Sequence, residues 1–379
     1  MEKYDWVSNI KVNLMVFRIV GLWPKGKNYE LNLYLLHAII ISGTFGVLHC
    51  ACRTWKLLTN LNDLEVVAGT AFLSVSESLV VVKMFCLARN IKTFKGLLPM
   101  LDNDLFQPRN VNQIDLVTPS LNTWKFMNNL LGVIVTVAVS SYAVAPLLTG
   151  SAKKHQLPLL ASYPYDATIT PFFEITYLHQ VGSIFILGIC DANMDTFVAA
   201  FSLYAGNQLD ILCDNLKNIR PGEFKKELVF CVKSYGQIVS FVEAYNEAFN
   251  WMIFVQFFTS TVSLALTMFL MTTVEPFDGE FFSFVFYETS LLLEIFIYCW
   301  FGNELQIKSA RVFVAAFHSR WPEASNSVKH DLLFFMMKTQ NVLKISTLGL
   351  FDLSLEIFLK ILKSAYSYFA LVSRLNSDE

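Results

Sequence analysis

Charged side chains are scarce in this chain: Asp, Glu, Lys and Arg supply 16% of the 379 residues, where a soluble domain carries about 25%. The deficit runs along the whole sequence, so a single buried core does not account for it. With a formal net charge of −2 there is no basic surplus of the kind that nucleic acid or a polyanion attracts. Cysteine is sparse and irregular. The seven (Cys50, Cys52, Cys86, Cys190, Cys213, Cys231 and Cys299) form no CxxC pair, and most sit in or beside apolar runs where a thiol behaves as a small hydrophobe. This excludes a disulfide framework and a zinc centre. The six histidines are scattered, so no metal-ligand set is expected. His-Glu-x-x-His, a phosphate-cradling glycine loop and Gly-x-Ser-x-Gly are all missing, and with them any expectation of an enzyme or a cofactor. There is no Asn-x-Ser/Thr sequon, and the first thirty residues do not read as a secretory signal peptide.

What is abundant is apolar surface: 54% hydrophobic and 15% aromatic residues, with a mean hydropathy of +0.46. About 20 mostly apolar residues make a helix that crosses the hydrocarbon core. Seven segments qualify: 33–55, 64–87, 126–148, 172–203, 249–274, 281–301 and 353–375. The expected fold is therefore all-α, a seven-transmembrane-helix membrane protein. A short interfacial or re-entrant helix over Val12–Leu22, stopped by Trp23-Pro24, precedes the first span. The organisation that follows is an N-terminal segment (1–30), membrane helices one to four (31–205), a cytoplasmic helical extension serving as an anchor (206–247), helices five and six (248–303), a second anchor segment (304–350), and helix seven with its tail (351–379). Basic residues set the orientation. About 20 fall on the N-terminal side of the membrane, in the first segment and the 88–125, 204–248 and 302–352 connections, against five on the other. The N-terminus is expected in the cytoplasm and the C-terminus outside. That polarity is opposite to a G-protein-coupled receptor, whose Asp/Glu-Arg-Tyr and Asn-Pro-x-x-Tyr motifs are also missing.

The last span is not uniformly apolar. At about 100° per residue, Glu356, Lys360, Ser364, Ser367, Leu371 and Arg374 share one stripe, with Phe358, Ile361, Ala365 and Phe369 opposite. Ionisable groups facing lipid cost several kcal/mol, so the stripe faces either water in a pore or a buried intramolecular ladder with Glu356 and Lys360 paired at i,i+4. Elsewhere Glu77, Lys83, Glu174, Glu288 and Glu294 show no relay spacing. Asp191 and Asp195 share a helix face and suit either a cation site or a hydrogen-bonded contact.

The C-terminal third carries more specific patterns. The run Tyr298–Leu305 (YCWFGNEL), followed by Ser309, Ala315-Ala316-Phe317 and Trp321, and the run Leu353–Leu371 (LSLEIFLKILKSAYSYFAL) resemble the sixth and last helices of insect odorant receptors. Gly21-Leu-Trp-Pro24, Tyr163-Pro-Tyr-Asp166, Tyr177 and Gln180 extend the resemblance to the whole chain. It implies a ligand-gated, non-selective cation channel in the plasma membrane of olfactory sensory neurons. An odorant-binding subunit and a shared co-receptor subunit assemble there as a heterotetramer. The long fourth-to-fifth insertion of the co-receptor is missing, so the chain resembles the odorant-tuned subunit. The resemblance further implies a gate at Leu371, with Arg374 one turn beyond where the co-receptor carries a neutral polar residue. It also implies a pocket for a small hydrophobic volatile molecule among helices two, three, four and six. That pocket is expected to draw on Gly69, Phe72, Leu73 and Ser76; on Val139, Ser140, Tyr142 and Ala143; on Tyr177, Leu178, Val181 and Phe185; and on Phe282, Ser283, Phe286 and Tyr287, with hydroxyls of Ser140, Tyr177, Ser283 or Tyr287 orienting a polar tip. Partners are then the volatile ligand, the co-receptor, lipid and permeating cations, without nucleic acid. The alternatives are a gustatory-receptor-like channel and a secondary transporter; the latter predicts internal repeats and broken spans, which the sequence does not show.

Overall fold

The computed structural model describes residues 3–62, 64–275 and 277–377. Helices dominate, and their bounds follow the hydrophobic runs at one end while overshooting them at the other. Helix α4 spans Leu64–Arg89, α6 Val111–Leu148, α7 Phe172–Lys217, α8 Phe224–Thr273 and α9 Gly279–Phe317. The 50 residues of α8 reach roughly 75 Å at 1.5 Å per residue, far more than the roughly 30 Å of a hydrocarbon core. The polar-apolar alternation after each run is thus amphipathic helix that continues the same rod. The turn at 218–223, capped by Pro221–Glu223, joins α7 to α8. Together with the first span, six helices among the described residues are long and apolar enough to cross a membrane. The seventh, α11 (Leu355–Ser377), is amphipathic because Glu356, Lys360, Lys363 and Arg374 interrupt it.

The first span is three pieces. Asn32 caps α2 (Leu33–Ile41) by accepting from the Leu35 N–H at 3.0 Å. A π-helical turn over Ser42–Leu48 leads into α3 (His49–Thr59). Such a turn frees backbone carbonyls from the regular ladder; that of Thr44 accepts from His179 Nε2 on α7 at 3.0 Å. Before this span, α1 (Lys11–Val20) buries Leu14, Phe17 and Val20 and leaves Val12, Met15 and Ile19 exposed. It ends at Gly21 (φ +93°), ahead of Trp23-Pro24 where a stop was expected. The backbone turns left-handed there, and a Cβ at Gly21 would lie 2.6 Å from Ala38.

The core is densest around α7, where nearly every residue from Cys190 to Leu216 is buried. Phe201 lies at its centre, with the rings of Phe197, Tyr204, Phe241, Tyr245 and Phe249 at centroid distances of 5.0–6.3 Å, the spacing of favourable edge and offset aromatic pairs. The N-terminal segment is tied to this cluster: Trp6 is buried, its Nε1 donates to the Phe106 carbonyl (3.2 Å), and its own carbonyl accepts from Tyr204 Oη (2.9 Å).

Helices α5 (Ile91–Leu101) and α10 (Asn326–Thr339) lie in the connections. Between α10 and α11 a two-stranded ribbon pairs Ser346 with Asp352 and Thr347 with Phe351. Its turn has positive φ at Leu348 (51°) and Gly349 (68°), the geometry of a type I′ hairpin. The ribbon hands the chain to Leu353, whose N–H donates to the Ile345 carbonyl (2.8 Å) and whose carbonyl accepts from Gln306 Nε2 (2.8 Å). Leu353 sits directly over Gly302 of α9, in a space that a Cβ on residue 302 would occupy.

Candidate functional site

Helices α4, α6, α7 and α9 enclose an inner chamber of about 80 Å³. Above it lies an outer chamber of about 510 Å³, roofed by Gln156–Leu160 of the loop before α7. Tyr142 belongs to the walls of both, and Phe72 packs edge-on against Tyr287 at 5.4 Å between ring centroids. Polar contacts pin the roof. Gln180 on α7 receives the Leu159 N–H (3.0 Å) and donates to the Leu159 carbonyl (3.1 Å) and to Tyr163 Oη (3.2 Å). The Thr168 hydroxyl (2.6 Å) and N–H (2.9 Å) both donate to Asp166 and hold its carboxyl below the usual carboxylate range.

Of the sixteen residues expected at the pocket, Leu73, Ser76, Val139, Tyr142 and Tyr287 line the inner chamber, while Gly69, Phe72 and Ser283 join Tyr142 at the outer one. Ser140, Ala143, Tyr177, Leu178, Val181, Phe185, Phe282 and Phe286 line neither. The reason is helical phase and depth. On α9 the lining residues are Glu280, Ser283, Phe284, Tyr287, Ser290, Leu291 and Glu294, and Phe286 and Phe282 (42% exposed) lie about 100° or more from the centre of that stripe. On α7 the stripe is Ile184, Leu187, Gly188 and Asp191. Tyr177 and Val181 share its face but lie nearer the helix start, whereas Leu178 (71% exposed) and Phe185 point elsewhere.

The hydroxyls are mostly committed. Tyr177 donates to the Ala143 carbonyl (2.7 Å), Ser283 to the Gly279 carbonyl (3.0 Å), and Tyr287 bonds the Phe72 carbonyl (3.1 Å) and Ser76 Oγ (2.6 Å). Tyr142 Oη, on the wall common to both chambers, has no hydrogen-bond partner among the described residues. A buried hydroxyl left so costs about 1–3 kcal/mol, which a ligand with one polar atom would recover.

Beneath the inner chamber lies an ionic cluster that spacing along the chain did not reveal. Lys83 of α4, fully buried, contacts Asp191 and Asp195 of α7 at 2.6 Å each. Tyr298 Oη donates to Asp195 (2.8 Å), and Gln256 Nε2 to Glu294 (3.3 Å). The carboxylates of Asp191, Asp195 and Glu294 lie within 4.8 Å of one another. A second cluster joins Glu77 to Arg53 (3.0 Å) and His49 (3.3 Å), both fully buried. Of the two readings of the Asp191/Asp195 pair, the hydrogen-bonded contact is the one seen, with Lys83 as the partner. Its partners are more than 100 residues away, so only the fold discloses them.

On α11, Glu356, Lys360, Ser364, Ser367, Leu371 (56% exposed) and Arg374 face outward from the protomer. The opposite side packs inward, with Ala365 fully buried and Phe358, Ile361 and Phe369 against the core. Glu356 and Lys360 do pair at 2.6 Å, but with 74% and 63% of their side chains exposed. The stripe is therefore not an intramolecular ladder sealed inside the subunit.

Comparison with known proteins agrees with this architecture. Residues 63–366 match the family described as 7tm odorant receptor. Odorant receptor 46a, isoform A, of Drosophila melanogaster is 22% identical over 369 residues, covering 95% of this chain and 96% of that protein. Odorant receptor 10 of Aedes albopictus is 23% identical over 376 residues, covering 96% and 97%. The fold is also that of the insect olfactory receptor OR5 from Machilis hrabei in complex with eugenol, with a TM-score of 0.86 at 17% identity over 98% of this chain and 100% of that one.

Proposed function

Because the chain belongs to the odorant receptor family of seven-helix, multi-pass membrane proteins, we propose that it is the odorant-binding subunit of a ligand-gated, non-selective cation channel. In this reading a small volatile organic molecule occupies the two chambers, and α11 contributes one wall of a pore shared with sister subunits, one or more of them a co-receptor. The N-terminus, the C-terminal ends of α7 and α9 and the N-terminal end of α8 lie in the cytoplasm of an olfactory sensory neuron. The supporting observation is the outward stripe on α11. Its charges and hydroxyls, on a helix of membrane-spanning length, need water rather than lipid, and Leu371 is its apolar member, suited to a constriction that opens by wetting.

Ligand binding then acts as a population shift: a tenfold preference for the open arrangement supplies about 1.4 kcal/mol. The reading is tested by co-expression with a co-receptor subunit and recording against a panel of volatiles, omitting each subunit in turn; currents independent of this subunit would refute it. Replacing Leu371 with serine is expected to raise the current without ligand several-fold in patch recordings. A basal current equal to that of the unmodified channel would remove Leu371 from the gate. Tyr142→Phe is expected to raise the half-maximal concentration of a hydrogen-bonding ligand by about 3–10-fold, the net worth of one hydrogen bond, while a hydrocarbon of the same shape is unaffected. Equal responses of both proteins to both ligands would show that the Tyr142 hydroxyl does not touch the ligand.

A further inference from the structure

The wall of the inner chamber is electrically one-sided. Asp191, Glu294 and Glu77 line it, and among the described residues no basic side chain does. Glu77 is matched by Arg53 and His49. Asp191 and Glu294 belong to the three-carboxylate group whose single cation, Lys83, contacts Asp191 and Asp195 without forming part of the chamber wall. One ammonium thus answers three carboxylates inside a membrane bundle, where unpaired charge is costly. Hydrogen-bond acceptors are in excess as well. Among the described residues Asp195 Oδ2 and Gln256 Oε1 have no donor, although these residues are 0% and 1% exposed, and Gln256 already gives its Nε2 to Glu294.

We propose that the inner chamber is the head-group site for a small protonated amine. Its ammonium sits between Asp191 and Glu294, with Lys83 across Asp191 from it, and its carbon skeleton runs past Tyr142 toward the outer chamber. A neutral alcohol supplies a donor but no charge. A bare metal ion requires a shell of about six oxygens, whereas the rest of this wall includes Leu73, Val80, Leu187 and Leu291; an amphiphilic cation suits both halves. Size agrees: a cavity of about 150 Å³ accommodates benzene, so the 80 Å³ here takes an amino group and a few carbons, and the remainder of the molecule needs the 510 Å³ outer space.

The proposal rests on the chambers being the ligand site, and its test separates the two. Primary alkylamines are compared with alcohols and alkanes of equal length, both as currents from the full receptor in cells and as binding to the purified receptor in lipid discs. The amine is expected to act at a concentration at least about tenfold lower than its alcohol. Glu294→Gln should remove that advantage, bringing the amine to the level of its alcohol, Asp191→Asn should act in the same direction, and Glu294→Asp should restore part of it, with surface level measured for each. An amine no better than its alcohol, or a Glu294→Gln loss common to amine and alcohol at normal surface level, overturns the proposal, as does saturation by sodium alone with no gain for the amine. Selective amine binding without current upholds it and rejects the channel reading. Binding of none of the three series rejects the chambers and the amine together.

Discussion

Replacing Lys83 with methionine is expected to remove most of the folded receptor from the cell surface. The substitution keeps an apolar stem of four atoms and removes the ammonium, so Asp191, Asp195 and Glu294 would share a buried space with no cation among the described residues. Breaking a buried charge pair by deleting one partner costs about 3–5 kcal/mol, a large part of the roughly 5–15 kcal/mol that separates folded from unfolded protein. Surface labelling and thermal denaturation of the solubilised protein measure the loss. The double variant Lys83→Met/Asp195→Asn should recover part of it, because one of the stranded charges is then removed. Normal surface levels for Lys83→Met alone would mean that the cluster is neutralised by protons rather than by Lys83.

Gly302→Val is expected to reduce ligand-evoked current by about tenfold or more at a normal surface level. Leu353 lies where any side chain on residue 302 must go, and its two backbone hydrogen bonds, to Ile345 and Gln306, fix the point from which α11 departs. Overpacking of this kind costs about 1–3 kcal/mol. Here it is expected to be relieved by displacing the start of α11, because the atoms in the way are the Cβ and the carbonyl of Leu353 itself. A shift of 1.4 kcal/mol between gating states is a factor of ten in their ratio. Ligand binding to the purified variant should be unchanged; unaltered currents would show that this contact does not transmit gating.

Much of this architecture is written in hydrophobic periodicity. The seven spans, the polar stripe of α11 and the helices carried past the membrane follow from residue order alone, because each is a local property of one segment; that the stripe faces outward does not, and only the packing of Phe358, Ile361 and Ala365 shows it. The chamber was legible only to the choice of helices. Phe282 and Phe286 read as well as Ser283 and Tyr287 on an isolated α9, since polar and apolar residues mix on every side of its first turns and no face declares itself; packing against α7 and α6 sets the phase. The Lys83 cluster is the opposite case. Its residues are individually conspicuous, yet their meeting depends on α4, α7 and α9 crossing at one depth. The π turn at Ser42–Leu48 and the Leu348-Gly349 hairpin escaped notice for a third reason: each is a short departure inside a segment whose average composition points to regular helix or loop.

The unbroken length of α7 and α8 has a mechanical consequence. With 46 and 50 residues and no proline inside either, both behave as stiff levers rather than as jointed arms. A tilt of about 3° at the odorant end of a rod roughly 75 Å long carries the far tip about 4 Å. In the assembly proposed above, a displacement too small to reshape the chamber would thereby be large enough to re-register one subunit against its neighbour.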